Sequence, residues 1–383
     1  MLSRFLAFVS LFTSIAVNAA DSSPTTATKL ARDESFFPLA VWLQSPRNAE
    51  RYKAAGINTY VGLWRGPNEE QFNQLKAAGL KLICHQNQFA LAHKNDPTII
   101  AWMQDDEPDN AQSLGQGKGY GPPVLPEKIL ARYNEIHAAD PSRPILLNLG
   151  QAVAWDNYIG RGVRRNHPED YAEYVKAGDI VSFDIYPVTH PEKAVKGKLE
   201  YVGNGVKRLK SWAGDREVWN CVEAKVSEEG EAKLTAAQLR SEVWMSIING
   251  SRGIIYFVHH FKPTFSEASV FEDSDLLKAL TEVNHQVTQL APILNSADSP
   301  KVTISAPENA VAALAKRKGD DLYLFTASLS PQPTSANFKI ENISGSYDIE
   351  VLEESRHLPK TSGAIEDKFD PYQAHLYKIT RAK

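Results

Sequence analysis

The sequence predicts an α/β fold, a (β/α)₈ TIM barrel followed by a small C-terminal antiparallel β-sandwich. Short apolar segments alternate with amphipathic helical segments eight times over about 260 residues, which matches this barrel in count and size. After residue 298 apolar and polar residues alternate within short segments, as in an antiparallel sheet with one solvated face. We therefore place the barrel at residues 36–297 and the sandwich at 298–383 of the 383-residue chain.

The barrel strands are predicted from eight apolar segments. Their nearly continuous apolar composition is typical of parallel strands that are covered on both faces. An open doubly wound sheet that binds a dinucleotide would need a glycine-rich turn after its first strand, and the turn here is QSPRN. In chain order the predicted strands are PLAVWLQ (38–44), INTYVGLW (57–64), LKLICHQN (80–87), IIAWMQDDE (99–107), PILLNLG (144–150), DIVSFDIYP (179–187), REVWNCVEA (216–224) and GIIYFVHHF (253–261).

The helical segments lie between these strands, and four of them end in a glycine just before the next strand. The segment NEEQFNQLKAAG, after the second strand, is typical. Glycine favours this position because it adopts the left-handed conformation that ends many helices. We therefore predict helix ends at Gly56, Gly79, Gly178 and Gly214.

The N-terminal residues predict export. Residues 1–20 contain one Arg, an apolar stretch and the small residues Ala19 and Ala20, which is the pattern of a secretory signal peptide. Residues 21–35 are polar and rich in Pro and Thr, and we predict a flexible leader. We expect a secreted or periplasmic protein that is not bound to a membrane once the signal is removed. The net charge of −4 gives no basis for binding nucleic acid.

The chain has two cysteines, which excludes a disulfide scaffold and a cysteine-rich zinc site. Cys84 and Cys221 lie on the third and seventh predicted strands, which face each other across an eight-stranded barrel. A disulfide requires Cα atoms roughly 4.4–6.8 Å apart, and opposite barrel walls are farther apart than that. We predict two free buried thiols.

Polar and aromatic residues close the predicted strands. Active sites of such barrels lie at the C-terminal ends of the strands. A mixture of aromatic rings with carboxylates and amides suits sugars, because sugar rings have apolar faces and hydroxyl edges. The candidate substrate-binding residues are Trp42, Trp64, Arg65, His85, Asp105, Asp106, Asn148, Asp184, Tyr186, His259 and His260.

Two glutamates are the candidate catalytic residues. Glu107 closes the fourth strand and Glu223 closes the seventh. Glycoside hydrolysis requires one carboxylic acid that protonates the leaving oxygen and a second carboxylate as nucleophile or base. Nearby Asp residues should raise the pKa of Glu107, which makes it the better acid. Lys225 should help to keep Glu223 ionised.

Three segments resemble the superfamily of retaining (β/α)₈-barrel glycoside hydrolases, whose acid/base ends strand four and whose nucleophile ends strand seven. They are AWMQDDEPD (101–109), SFDIYP (182–187) and WNCVEAK (219–225). The resemblance implies an exported enzyme that cleaves a β-glycosidic bond in an oligo- or polysaccharide with retention, by double displacement and without a cofactor.

The resemblance also implies roles for single residues. Glu107 would be the acid/base and Glu223 the nucleophile, with Tyr186 near the nucleophile and Arg65 supporting it. The chain departs from the pattern at two places. Asp106 stands where members commonly have Asn, and the eighth strand ends in two His residues where members usually have Trp.

Two other functions fit the same residues. One is a non-catalytic carbohydrate-binding barrel. The other is a metal-dependent hydrolase or lyase that uses Asp105 and Glu107, which share a face if the fourth strand continues through them. The loop after the fifth strand carries Arg161, Arg164 and Arg165, which predicts either an anionic sugar as partner or ordinary surface ion pairs.

Overall fold

A computed structural model describes residues 27–382 except Asn342, Ser344 and Ser362. The predicted signal peptide and the first part of the predicted leader lie outside the described residues. The barrel strands are β1 (Leu39–Trp42), β2 (Thr59–Val61), β3 (Lys81–Cys84), β4 (Ile99–Met103), β5 (Ile145–Leu149), β6 (Ile180–Phe183), β7 in two pieces (Glu217–Val218 and Asn220–Glu223) and β8 (Ile254–Phe257).

These strands form a closed parallel barrel in chain order. β1 pairs with both β2 and β8. The two pieces of β7 close the ring, because the first pairs with β6 and the second pairs with β8. A parallel β-bridge between Asp184, which follows β6, and Cys221, in the second piece of β7, also joins these two strands. The predicted TIM barrel is confirmed.

Eight helices surround the barrel. Gly79 ends α2 in the left-handed conformation (φ 72°), as predicted. Gly178 is instead extended, and a Cβ there would be crowded at 3.0 Å from the Leu147 Cβ of β5. The helices are α1 (Ala49–Ala54), α2 (Glu69–Ala78), α3 (Gln88–Ala92), α4 (Pro126–Ala139), α5 (Tyr171–Tyr174), α6 (Glu200–Ala213), α7 (Ala236–Ile248) and α8 (Ser274–Leu294).

The described end of the predicted flexible leader is packed against the base of the barrel. Leu30 is 5% exposed and belongs to the cluster of apolar side chains that fills the barrel interior. The Thr28 amide donates to Asp179, and the Arg32 guanidinium pairs with Glu217. The polar composition of this segment concealed the one apolar side chain that covers the open base.

The C-terminal part forms two antiparallel sheets, which confirms the predicted β-sandwich. The five-stranded sheet also packs on the barrel, where Phe325 stacks on Trp244 of α7 at 5.6 Å between ring centroids. The sheets have the orders β9-β12-β15 and β10-β11-β16-β13-β14. Their strands are β9 (Val302–Ser305), β10 (Val311–Lys318), β11 (Asp321–Ser328), β12 (Thr334–Ile340), β13 (Tyr347–Val351), β14 (Arg356–Thr361), β15 (Ile365–Phe369) and β16 (Ala374–Arg381).

The two cysteines are free and buried, as predicted. Cys84 packs outside the barrel wall with the surrounding helices, whereas Cys221 points into the barrel interior. Among residues 27–382 with their three gaps, no helix is both long enough and apolar enough to cross a membrane.

Candidate active site

A group of carboxyls lies at the C-terminal end of the barrel, and the loop after β4 supplies two of them. β4 ends at Met103, so the alternation of a strand does not continue to Glu107. Glu107 has a φ of 43°, and its amide donates to the Asn148 carbonyl at 3.0 Å. This left-handed backbone is costly for a glutamate, and such conformations concentrate at functional sites. Asp106 and Glu107, rather than Asp105 and Glu107, therefore interact.

Glu107 lies against Asp184, the first residue after β6. The two carboxyls are close enough to share a proton. Burial and the Asp184 charge raise the pKa of Glu107 well above its usual range, and Asp106 adds to the effect. Burial likewise raises the pKa of Asp184 to about 7, although its contact with Glu107 opposes the shift. Both shifts favour the protonated carboxyl, because two ionised carboxyls in contact repel each other.

The Asp184 carboxyl is buried, and one of its oxygens lacks a hydrogen-bond donor among the described residues. It is 7% exposed, and its Oδ1 receives no hydrogen bond from an N–H or hydroxyl donor in the described part of the chain. The Tyr186 hydroxyl interacts with the same carboxyl and lowers its pKa. Tyr186 was expected beside the nucleophile, and the carboxyl beside it is that of Asp184.

Asn148 orients Asp106. Its amide nitrogen donates to the Asp106 carboxylate at 2.9 Å, while its oxygen accepts from the Ser182 hydroxyl at 2.7 Å. Asp106 is exposed to solvent, yet the surrounding protein removes enough hydration to raise its pKa to about 6. The Asn148 hydrogen bond opposes this shift. Asp106 thus presents a fixed carboxylate next to the proton-sharing pair.

Asp109 and the arginines of the next loop serve a structural role. Asp109 is fully buried and accepts hydrogen bonds from Tyr171 and the Gly150 amide. Arg161 is 1% exposed and pairs with Asp170, which also binds Arg164. Two of the three arginines that suggested an anionic sugar are therefore engaged in ion pairs within the protein.

Glu223 lies in a different environment from Glu107. Its side chain has no exposed surface, and its two oxygens accept from the Val188 and Thr189 amides at 2.7 and 3.0 Å. Its carboxyl also contacts Glu242 of α7, which is itself fully buried. Burial raises the pKa of Glu223, while the two amide hydrogen bonds oppose the shift. In this arrangement Glu223 holds the loop after β6 and is closed to solvent.

Aromatic rings extend outward from the carboxyls along the β8 side of the mouth. Tyr186 stacks on Phe257 at 5.1 Å, and Phe257 contacts His259 at 5.1 Å. Around His259 lie three exposed aromatic rings. We call the group of Phe257, His259, Phe261, Phe265 and Trp64 the aromatic platform.

His259 is the centre of this platform and is only 3% exposed. Its Nε2 lies 3.2 Å from the Leu43 carbonyl, while its Nδ1 is buried without a partner among the described residues. Burial lowers its pKa, so the ring is neutral at pH 7. His259 therefore acts as an uncharged ring that supports its neighbours.

The other predicted substrate-binding residues are dispersed. Trp42 is buried with the barrel interior, and His85 is exposed with its Nδ1 3.1 Å from the Met103 carbonyl. Arg65 is exposed at the end of β2 with a φ of 53°, and the donors to Glu223 are backbone amides instead. Asp105 is exposed and directly precedes Asp106 in the loop after β4. The His260 ring interacts with the Lys262 carbonyl.

Sequence reasoning missed Phe261 and Phe265 of the platform and the buried Glu242. The first two were detectable, because both follow β8 in a loop that such barrels use for binding. Glu242 is followed by the apolar residues VWM in the helix segment RSEVWMSII, where an acid among buried side chains indicates a buried partner.

A metal centre finds no support in the part of the chain that the structure describes. No three His, Cys, Asp or Glu side chains there are arranged to hold a metal ion. The Asp105–Glu107 pair proposed for such a site is not brought together. The metal-dependent alternative therefore lacks a ligand set.

Comparisons with known proteins show the fold. No family model and no curated protein matches the chain. A GH42 beta-galactosidase from G. stearothermophilus superposes with a TM-score of 0.60 at 9% identity, covering 91% of this chain and 98% of that one. Alpha-galactosidase I from Mortierella vinacea gives 0.54 at 9% identity, with 91% and 98% covered. An Anoxybacillus alpha-amylase gives 0.53 at 10%, with 92% and 100% covered. The barrel with a C-terminal β domain, implied by the sequence resemblance, is confirmed.

Proposed function

We propose that the protein is an exported glycoside hydrolase that cleaves a β-glycosidic bond in an oligo- or polysaccharide with retention. The observation that supports this most is the Glu107–Asp184 pair, which brings two carboxyls with raised pKa values together at the mouth of the barrel. Hydrolysis by double displacement needs one protonated and one ionised carboxyl. The likeness to galactosidases and an amylase supports the same reaction class.

Glu107 is the proton donor in this proposal. Its raised pKa keeps it protonated near neutrality, as a general acid requires. When the glycosidic C–O bond breaks, the Glu107 proton passes to the leaving oxygen. In the second step Glu107 takes a proton from the water that attacks the anomeric carbon.

Asp184 is the nucleophile in this proposal. It is next to Glu107 and Tyr186, and one of its oxygens has no permanent donor. Its carboxylate forms a bond to the anomeric carbon as the leaving group departs, and water later displaces it. Attack by Glu223, as expected from the sequence, would require the Val188–Thr189 loop to release that carboxylate.

Retention in this proposal rests on the sequence resemblance and on the contact between the two carboxyls. Inverting enzymes separate their carboxyls by roughly 6.5–9.5 Å to hold a water between them, whereas retaining enzymes use roughly 5–5.5 Å. The interaction between the Glu107 and Asp184 side chains favours the shorter separation. The β configuration of the bond rests on the sequence resemblance, since the solved structures include enzymes named for both anomers.

The test is a panel of β-linked glycans incubated with the wild type, and NMR of the first product formed. We expect hydrolysis with the β anomer appearing first. Glu107→Gln should lose this activity, whereas Glu127→Gln, an exposed glutamate at the start of α4, should retain it. Sugar binding without turnover by the wild type would indicate the non-catalytic barrel.

Azide identifies the nucleophile. Asp184→Gly should lose turnover on the active glycan and regain it with azide, which forms the α-glycosyl azide in the vacated space. Glu223→Gly should give no such product, because its site is closed to solvent. Formation of the α-glycosyl azide by the Glu223 variant alone would restore Glu223 as the nucleophile.

A further inference from the structure

The large apolar side chains that are exposed in the described residues all belong to one end of the barrel. A patch of this kind on a soluble protein marks a binding surface. All of them lie on loops or at a helix start at the C-terminal end of the barrel. They are Trp64 after β2, Leu114, Tyr120 and Leu125 between β4 and α4, Ile159 and Val163 between β5 and α5, and Phe261 and Phe265 between β8 and α8.

These residues form two groups on opposite rims of the mouth. The aromatic platform belongs to the β8 and β2 side, and Trp64 lies 6.4 Å from Phe265 between ring centroids. Tyr120 and Ile159 belong to the β4 and β5 side. In the closed barrel, strands four and five lie across from strands eight and one. The Glu107–Asp184 pair therefore has exposed apolar surface on both sides.

Both rims are continuous with the carboxyls. On one side Tyr186 joins Asp184 to the platform through its stack with Phe257. On the other side burial and the charges of Glu107 and Asp184 raise the pKa of Tyr158. The ring of Tyr158 lies 6.1 Å from that of Trp155, and Tyr158 directly precedes the exposed Ile159. A molecule that spans both rims thus passes directly over the reacting groups.

The charge of the mouth restricts what this molecule is. Asp105 and Asp106 are exposed there, whereas Arg161 and Arg164 are held in ion pairs with Asp170. An anionic chain would meet the like charge of Asp105 and Asp106 beside the reacting groups, while two exposed arginines, Arg65 and Arg165, lie on the outer loops after β2 and β5. Sugar units of a neutral glycan carry no charge and present apolar faces that pack on aromatic rings.

We propose that the mouth is an open cleft for a neutral polysaccharide, with sugar subsites on both rims, so that the chain is cut internally. This inference rests on the proposed glycosidase activity. The platform would hold sugar units on one side of the cleaved bond, and Tyr158 with Tyr120 would hold units on the other side. Removal of an aromatic side chain from either rim should lower kcat/KM for long substrates more than for short ones.

The mode of cleavage is measured on mixed-linkage β-glucan, β-1,4-xylan, β-1,4-mannan, β-1,4-galactan and agarose. On the polysaccharide that is hydrolysed, viscosity should fall before many reducing ends accumulate. The ratio of kcat/KM for its hexasaccharide to that for its disaccharide should fall about tenfold in Trp64→Ala and in Tyr120→Ala. Glu127→Ala, at an exposed position of helix α4 outside both rims, should keep the wild-type ratio.

Binding separates this inference from the activity on which it rests. Affinities of Glu107→Gln for the same hexa- and disaccharides are compared with and without Trp64→Ala. If Glu107→Gln binds the hexasaccharide more tightly than the disaccharide but the wild type hydrolyses neither, the proposed cleft is supported and the proposed glycosidase activity is contradicted. Release of single sugars without a fall in viscosity would mean that the polysaccharide is cleaved from its end. This result would contradict the proposed cleft and support the proposed glycosidase activity. The absence of both binding and hydrolysis across the panel would overturn both.

Discussion

Two clusters of charged side chains differ in how their charges are balanced. The mouth cluster (Asp106, Glu107 and Asp184) contains carboxyls only, and each of their pKa values is raised. The sandwich cluster (Glu354, Arg356, Asp367, His375 and Tyr377) lies in the C-terminal domain, where Arg356 binds Asp367 at 2.7 Å and Glu354 at 2.8 Å.

The charges of the sandwich cluster are paired with one another, although the cluster lines a cleft. Hydrogen bonds from Arg356 and Tyr377 outweigh burial and lower the pKa of Asp367. His375 is buried and contacts Glu354. The cleft beside this cluster has a volume of about 750 Å³, within the range of ligand pockets. Its charges nevertheless have partners within the domain, which indicates a structural network.

The mouth cluster is left unbalanced, and this difference is what marks it as the site. Like charges without a cation cost stability, and the left-handed backbone at Glu107 adds to that cost. Proteins retain such arrangements where function requires them. The contrast predicts that equal substitutions in the two clusters have opposite effects.

The largest effect should be on catalysis at Glu107. Glu107→Ala should lower kcat by about 10²–10⁴-fold on substrates with poor leaving groups, because no group protonates the departing oxygen. Aryl glycosides with acidic leaving groups should lose much less. Asp367→Asn should leave both rates unchanged per folded molecule. Equal losses for both leaving groups at Glu107 would contradict its role as the acid.

The next effect concerns the stability of the sandwich cluster. Asp367→Asn removes the charge that binds Arg356 and accepts from Tyr377, so the free energy of unfolding should fall by about 2 kcal/mol at pH 7. The folded-state pKa of Asp367 is lowered, so its contribution is present above the unfolded pKa and is lost as pH falls through the folded pKa. Urea unfolding at pH 7 and pH 3 measures this loss, and an equal deficit at both values would contradict it.

Asp184 should behave in the opposite way. Its folded-state pKa of about 7 exceeds the ordinary 3.8, so the folded protein loses stability as pH rises through this window. Asp184→Asn should therefore raise the free energy of unfolding by about 1 kcal/mol at pH 8, with no gain at pH 4. Urea unfolding at the two pH values tests the sign. A destabilised variant at pH 8 would show that Asp184 is balanced by partners.

The barrel could be predicted because its signals are local and repeated. Apolar strands, amphipathic helices and glycines such as Gly79 each depend on a few neighbouring residues. The strand ends were sufficient to place Asp106, Glu107, Asp184 and Tyr186 near one another, since parallel strands bring their ends to one face.

The pairing of those side chains was not predictable in the same way. β4 ends four residues before Glu107, and its φ of 43° turns the side chain out of the expected alternation. Glu223 was placed at the mouth because it closes a strand, but two amides from another loop bind it. Such contacts join residues more than thirty positions apart, and no periodicity encodes them.

The smallest effect should be a shift in the pH profile from Asp106. Its negative charge raises the pKa of Glu107, together with the charges of Asp184 and Asp109. Asp106→Asn keeps an oxygen that accepts from Asn148 but removes the charge, so Glu107 should lose its proton at lower pH. The basic limb of kcat/KM should therefore move to lower pH.

Asp105→Asn is the matched control, because Asp105 is the preceding residue and is exposed. The basic limb of the kcat/KM profile of Asp105→Asn should stay closer to the pH of the wild-type limb. A limb that is unmoved in Asp106→Asn, or that moves to higher pH, would show that the mouth carboxyls do not act on the proton of Glu107. The contrast with the sandwich cluster would then reflect burial alone, since burial is the other cause that raises the pKa of Glu107.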